Sequence, residues 1–271
     1  MRRKSKLESF ILAGTLDEHQ GTILMWKIVR DSKALRKVWA ALKKREPDQE
    51  HILKTITEMK FANGVAKYKS TVTLSAYIEN ICDVTDFVYK ICDLRDTAFD
   101  WNKACHKRQL ERIWDLATNN LERKGGKFSS DWKHIGFGGE DPAKDLKDGG
   151  ILALNQLRYI CETRKKFVRR QHLSERGNSD GRYPWVYVGI VVTNVAVKFL
   201  KERILDIALL GLGETGMWRA FDEVYCNMFE AFHEEWVSSP VRSAADFDGT
   251  FQRCMAKQRL IYLQMVDQAV G

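Results

Sequence analysis

Proline is scarce in this chain, with four in 271 residues. Each proline removes a backbone donor and crowds the turn before it, so few points force a helix to break. Cysteine is present, but its useful spacings are not. The six cysteines stand at positions 82, 92, 105, 161, 226 and 254, no two are spaced C-x-x-C, and the histidines do not gather around them. No metal site is expected from such a pattern. Scattered cysteines with no secretory leader point to a reducing, cytoplasmic setting. The apolar FILAG after the basic start is too short for the core of a signal peptide.

Long apolar runs are missing too. The longest, Trp185–Val197, is interrupted by Thr193 and Asn194 and falls short of the ~20 residues that a membrane helix needs. Position 2 is not glycine and the C-terminus carries no prenylation box, so no lipid anchor is expected. There is no Walker A loop, no G-x-S-x-G elbow and no H-E-x-x-H helix. That excludes a P-loop nucleotidase, a serine-elbow hydrolase and a zincin. No cofactor is expected.

Charge is plentiful: 30% of residues are charged and the net charge is +8, beside 44% hydrophobic residues. That balance can bury a core, so the bulk of the chain folds as one large domain or two small ones. The positive excess suits an acidic protein, an anionic membrane surface or nucleic acid. It is spread out apart from two clusters. One is Arg2, Arg3, Lys4 and Lys6; the other is Arg158, Arg164, Lys165, Lys166, Arg169, Arg170, Arg176 and Arg182. Each also reads as a solvated face, and nucleic acid is not an expected partner.

Apolar spacing predicts helices along most of the chain. Leu35, Val38, Trp39 and Leu42 recur at i, i+3, i+4 and i+7. Pro47 and Asp48 open a helix carrying Ile52, Ile56 and Met59. Residues 62–74 read as a weaker, partly β-like link. Helical spacing returns with Ile81, Val84, Val88 and Ile91, then with Leu110, Ile113, Trp114, Ala117 and Leu121. After Gly149-Gly150, Ile151, Leu154 and Leu157 start a helix that runs into the basic cluster. The run after Pro184 is β-branched, which argues for strand. Proline at a helix start and the spacing of Trp185, Val188, Val192, Val195 and Phe199 argue for helix, and helix is the reading adopted. Phe221, Val224, Tyr225, Met228, Phe232 and Trp236 form one aromatic stripe, read as core. Ser243 with Asp246 resembles a capping box for a last helix through Tyr262 and Met265.

Gly211-Leu212-Gly213-Glu214-Thr215-Gly216 matches G-x-G-x-x-G, with Glu234 about 20 residues on. A dinucleotide site also needs a strand before the glycines and a parallel sheet around them. The preceding ERILDIALL fits a helix as well as a strand, and no strand follows, so nucleotide binding is not the reading.

Two polar loops remain, at 124–149 and at Ser174–Arg182. The first holds a pattern: Trp132, Gly136, Phe137, Pro142, Asp145, Gly150, Leu152 and Leu154. It resembles the signature of the ELMO domain, W-x3-G-F-Q-x3-P-x-T-D-F-R-G-x-G-x-L-G-L in its ELMOD form. Three further blocks are similar to the family in the same order. Leu110–Leu116 (LERIWDL) matches a helix ending in Leu-Trp-x-Leu. Tyr183-Pro184-Trp185 followed by Thr193 resembles Y-P-F…N-x-T. Phe221–Trp236 (FDEVYCNMFEAFHEEW), closed by Asp246-Phe247, resembles F-x-x-x-Y-C-x-x-x-x-x-F-x-x-x-W and its following D-F.

This resemblance places an ELMO domain at 106–258, with a basic leader and N-terminal helices over 1–105 packing on it and the end of the last helix at 259–271. The fold it implies is all-α, a single multi-helix domain with an ELMO-type helical core. Trp132, Gly136, Phe137, Pro142, Gly150, Leu154, Tyr183, Pro184, Tyr225 and Trp236 are then motif and structural positions. Asp145 either caps the next turn or orders the loop.

The family regulates small GTPases. ELMOD proteins activate GTP hydrolysis by GTPases of the Arf and Arf-like (Arl) group through the arginine of the signature, and ELMO proteins lack that arginine. Here Gly138 stands for the glutamine, Lys144 for the threonine, Leu146 for the phenylalanine, Lys147 for the arginine and Asp148 for the glycine. An arginine fork meets two phosphate oxygens at once and is worth roughly 10³–10⁵ in rate. Lysine keeps the charge and loses the fork.

The expected function is therefore binding of an Arf/Arl GTPase, as effector or adaptor, with weak or no GTPase activation. Lys144, Asp145, Lys147 and Arg158 would face the partner, with Lys147 at the position of catalysis. One alternative is an active GTPase-activating protein using Lys147 or another basic residue. Another is a structural subunit of a larger assembly. The basic clusters allow association with such an assembly, a membrane or the cytoskeleton.

Overall fold

The structure is a computed structural model and describes residues 17–61, 69–174, 183–238 and 244–269. Every regular element among the described residues is helical, so the fold class is all-α. None of these helices is long and apolar enough to cross a membrane. The chain divides into two compact units, one from residues within 1–90, 203–220 and 262–271 and the other from 91–202 and 221–261.

In the first unit, helix α1 (Glu18–Asp31) is capped by Asp17, which accepts from Gln20 N at 2.8 Å. The 3-10 turn Lys33–Leu35 buries Leu35, and helix α2 (Arg36–Leu42) buries Val38 and Leu42. Helix α3 (Gln49–Ile56) is capped by Asp48, at 2.9 Å from His51 N, and buries Ile52 and Ile56. Met59 departs from the predicted stripe and is exposed. Residues 57–61 turn as a π-helix, and that wider turn carries Met59 off the i+3/i+4 face.

Helix α4 (Lys69–Asp96) corrects a second expectation. Of the stretch read as a partly β-like link, 62–68 lie outside the described residues, but 69–74 are already helical and Leu74 is buried. The β-branched composition of Thr71, Val72 and Thr73 is a weak preference, overridden by the rest of a long helix.

A buried polar knot ties the first unit together. Asp206, fully buried at the start of a short helix, α10 (Asp206–Leu209), accepts from Trp26 Nε1 at 2.6 Å and from Arg203 Nε at 2.7 and 2.8 Å. Arg203 Nη1 donates to Thr85 Oγ1 at 2.7 Å, and Thr85 Oγ1 donates to the Leu42 carbonyl at 2.7 Å. The knot joins α1, the end of α2, α4 and residues 203–206.

The second unit holds α5 (Ala104–Thr118), α6 (Pro142–Leu146), α7 (Gly150–Thr163), α8 (Lys165–Ser174) and α9 (Trp185–Lys201). It also takes most of α11 (Gly213–Ser238) and of α12 (Phe247–Gln268). The ambiguous run after Pro184 is helix, with Trp185, Val188, Val192 and Phe199 buried. The aromatic stripe of α11 is core: Phe221, Tyr225, Phe232 and Trp236 are all buried. Leu121 leaves its predicted stripe, because α5 ends at Thr118 and turns through left-handed Asn119. Ser243, the predicted cap of the last helix, lies outside the described residues. The G-x-G-x-x-G stretch follows helix α10 rather than a strand.

The knot yields a stability prediction. Arg203→Met leaves the Asp206 carboxylate buried without its cation and should cost about 3–5 kcal/mol in urea unfolding. Arg203→Met with Asp206→Leu should recover much of that loss. A fragment starting at residue 106 lacks Trp26 and Thr85, and should be insoluble or unfolded. A stable, soluble 106–271 fragment would overturn the idea that the N-terminal helices belong to the fold.

Candidate functional site

The signature loop lies wholly within the second unit and is held from inside. Its entry is a 3-10 turn, Ser130–Ile135, with Ser129 as N-cap. Trp132 is completely buried, edge-on to Trp114 (centroids 5.6 Å apart) and to Phe137 (5.9 Å). The Arg123 guanidinium lies over the Trp132 ring, 4.1 Å from its centroid. The loop closes on itself where Ser129 N donates to the Glu140 carbonyl at 3.1 Å.

Two glycines fix the ends. Gly136 has φ +91°, and a Cβ there would sit 2.8 Å from Trp185 N, against the backbone of the Tyr183-Pro184-Trp185 block. Gly150 has φ +58°, and a Cβ there would overlap the Arg95 carbonyl. The next amide, Ile151 N, donates to the Thr97 carbonyl at 2.9 Å. Left-handed φ and backbone contact together leave room only for glycine.

Between these pins runs α6. Asp141 caps it, accepting from Ala143 N at 3.1 Å, with Pro142 at the first helical position. Asp141 also accepts from Trp101 Nε1 at 3.0 Å. Pro142 and Leu146 are buried. The Asp145 carboxylate turns inward and accepts from Gly138 N at 3.1 Å. Of the two roles left open for it, ordering the loop is the one its side-chain hydrogen bond serves. Burial raises the Asp145 pKa, while the Gly138 N–H pulls it back down and Asp148 and Asp141 add to the rise.

Lys144 and Lys147 point out. Both are exposed, and neither makes an ion pair with any described residue. Lys147 is the C-cap residue of α6, in αR conformation. Asp148 is the chain neighbour of Lys147. It lines a groove with Arg95, Lys198 and Lys201, and no ion pair joins it to Lys147.

Arg158 stands apart from the tip, eight residues into α7, which is roughly 12 Å along the helix. It pairs with Glu162 at 3.2 Å. Others of the basic cluster are also held by the fold: Arg164 by Glu223 (2.6 Å) and Glu230 (3.3 Å), and Arg169 by Asn119 (3.0 Å). The Arg170 side chain, Arg176 and Arg182 lie outside the described residues.

The remaining motif residues are core. Leu154 and Tyr225 are fully buried. Tyr183 packs edge-on to Phe232 and Trp236, and its hydroxyl lies 3.0 Å from His233 Nδ1. Sequence reasoning passed over Asp141, although an Asp-Pro pair at a helix start is a legible cap signal. Trp101 could not have been found, because nothing in the sequence links it to a residue so far along the chain.

Beside Arg158 sits Asp222, half-buried on α11. Burial, then the Glu223 charge, push its pKa up to about 7, against the pull of Arg158 and of the Gln156 amide. Gln156 is fully buried, and neither of its amide atoms reaches hydrogen-bond geometry with a described residue.

Two substitutions test this arrangement. Gly136→Ala should lower stability by about 2–3 kcal/mol, through strain at positive φ and collision with the backbone at Trp185. Asp222→Asn should act in the opposite sense. A carboxyl whose pKa rises on folding favours the fold when protonated and weakens it as pH climbs from about 4 through 7. The variant should be more stable than wild type at pH 8, by about 1–2 kcal/mol after allowance for partial exposure. The gain should shrink toward pH 5. Equal stabilities across pH 5–8 in chemical unfolding would show that Asp222 titrates normally.

Comparison with known proteins agrees with this architecture. The model of the ELMO/CED-12 family matches residues 90–251, more than half of the chain. The chain is 25% identical to mouse ELMO domain-containing protein 1 over 279 aligned positions, covering 96% of this chain and 84% of the relative. It is 23% identical to the human protein of the same name, covering 89% and 79%. To human ELMO domain-containing protein 2 it is 29% identical over 157 positions, covering 57% and 53%. With the signature loop, the Tyr183-Pro184-Trp185 block and the α11 stripe packed in one unit, the chain belongs to the ELMO/CED-12 family.

Proposed function

We propose that this protein binds a small GTPase of the Arf/Arl group as an effector or adaptor, and accelerates GTP hydrolysis little or not at all. The observation that carries the reading is Lys147. It is an exposed, unpaired cation at the end of a helix whose base is fixed by Asp141, Asp145 and the two glycines. It occupies the position of the arginine in the ELMOD signature that the loop resembles.

The chemistry follows from the side chain. In phosphoryl transfer, charge spreads over several oxygens, and positioned cations stabilise it. A guanidinium forms two parallel hydrogen bonds to such oxygens; an ammonium acts as a point charge. Affinity for the GTP-bound partner survives the exchange, because it draws on the whole surface. The rate does not, because the second contact is made only in the transition state.

The test uses Arf/Arl GTPases loaded with GDP or a GTP analogue for binding, and with GTP for single-turnover hydrolysis. Wild type should bind the GTP form and change hydrolysis little. Lys147→Arg should raise the hydrolysis rate by about 10-fold or more with affinity nearly unchanged. Strong activation by wild type that persists in Lys147→Ala would remove Lys147 from the catalytic position. Failure to bind any member in either nucleotide state would refute GTPase binding and favour a structural subunit.

A further inference from the structure

Beside the signature loop lies an open groove of about 660 Å³. Asp148, the residue after Lys147, forms part of its wall. The rest comes from Arg95 at the end of α4, from Asn194, Val197, Lys198 and Lys201 on α9, and from Glu202 just after it, all in the second unit.

The local charges are unevenly matched. Arg95 Nε lies 2.8 Å from the Asp96 carboxylate, and Glu202 is 3.3 Å from Arg259. Asp96 and the lining residue Glu202 are thus committed to arginines, while Asp148 makes no ion pair with a described residue. Lys198 and Lys201 are exposed and make no ion pair with a described residue. Cations in a last helical turn do answer the helix dipole, and that accounts for a basic residue there. It does not account for an open groove between two such helix ends with an amide, Asn194, in its wall. Val197 also lines the groove but is almost fully buried.

We propose that this groove receives an acidic segment of the GTPase partner, an inference that rests on the GTPase-binding reading. Lys198 and Lys201 meet its carboxylates, and Asn194 bonds its polar groups. The division of labour is then spatial. The groove sets affinity and partner choice, while the neighbouring Lys147 faces the nucleotide. Asp148 opposes the incoming carboxylates and tunes the site downward. Opposite charges across an interface raise association rates and fade with salt.

The experiment measures binding of GTP-analogue-loaded Arf/Arl GTPases, and of anionic vesicles, to the full chain at low and high salt. Lys198→Glu with Lys201→Glu should weaken GTPase binding by about tenfold or more at low salt and flatten its salt dependence. Asp148→Asn should strengthen it several-fold, a gain that no folding defect can mimic. Unchanged affinity and salt slope in both variants would overturn the groove and leave GTPase binding standing. So would a loss confined to vesicles, which would make the site a membrane contact. If wild type binds no GTPase at all, the partner reading itself falls, and with it the groove's assignment.

Discussion

Two close backbone approaches set the geometry on which the candidate site depends. At Gly136 the loop touches the first residues of α9, and at Gly150 it touches the chain leaving α4. Neither contact tolerates a side chain, and both residues have positive φ. Everything between them is thereby given a fixed start and end. Within that frame Phe137, Pro142 and Leu146 turn inward, as Trp132 does just ahead of it, and the Asp145 carboxylate closes the loop onto Gly138 N. Among the charged side chains of this stretch, Lys144 and Lys147 face solvent, as do Glu140 and Asp148. The loop is an irregular stretch held as firmly as a helix, which is what a site needs if it is to present a charge without a partner's help.

The use of charge follows the chemistry of each side chain. Arginines are struts: Arg123 lies over Trp132, Arg158 pairs with Glu162, Arg164 bridges two glutamates, and Arg203 anchors the buried Asp206. A planar fork with several donors suits contacts made at fixed angles. Lys144, Lys147, Lys198 and Lys201 carry charge at the surface and are not consumed by the fold. The cluster that looked most like an interaction surface in the sequence is thus partly internal architecture. Four such lysines stand at the loop tip and the adjoining groove.

Much of this was legible beforehand. The helix periods of α2, α3, α5, α9 and α11 follow from apolar spacing, since tertiary burial and spacing agree there. The signature glycines and Trp132 were readable because a strained turn and a large buried ring each admit few substitutes. Misreadings occurred where local signals mislead. Thr71, Val72 and Thr73 favour strand locally, yet lie in a long helix. Met59 keeps helical spacing, yet follows a π turn. Long-range polar contacts were invisible: nothing in the sequence joins Trp26 to Asp206, or Trp101 to Asp141.

The central claim is that the loop is preformed, held by the fold and not by a partner. Amide hydrogen exchange on the free protein tests it most directly. The Gly138 N–H, bonded to Asp145, and the Ile151 N–H, bonded to Thr97 O, should exchange about as slowly as amides in the middle of α7. Exchange at these two positions as fast as in the exposed stretch 121–126 would contradict it, and would mean that the loop takes this shape only when something binds.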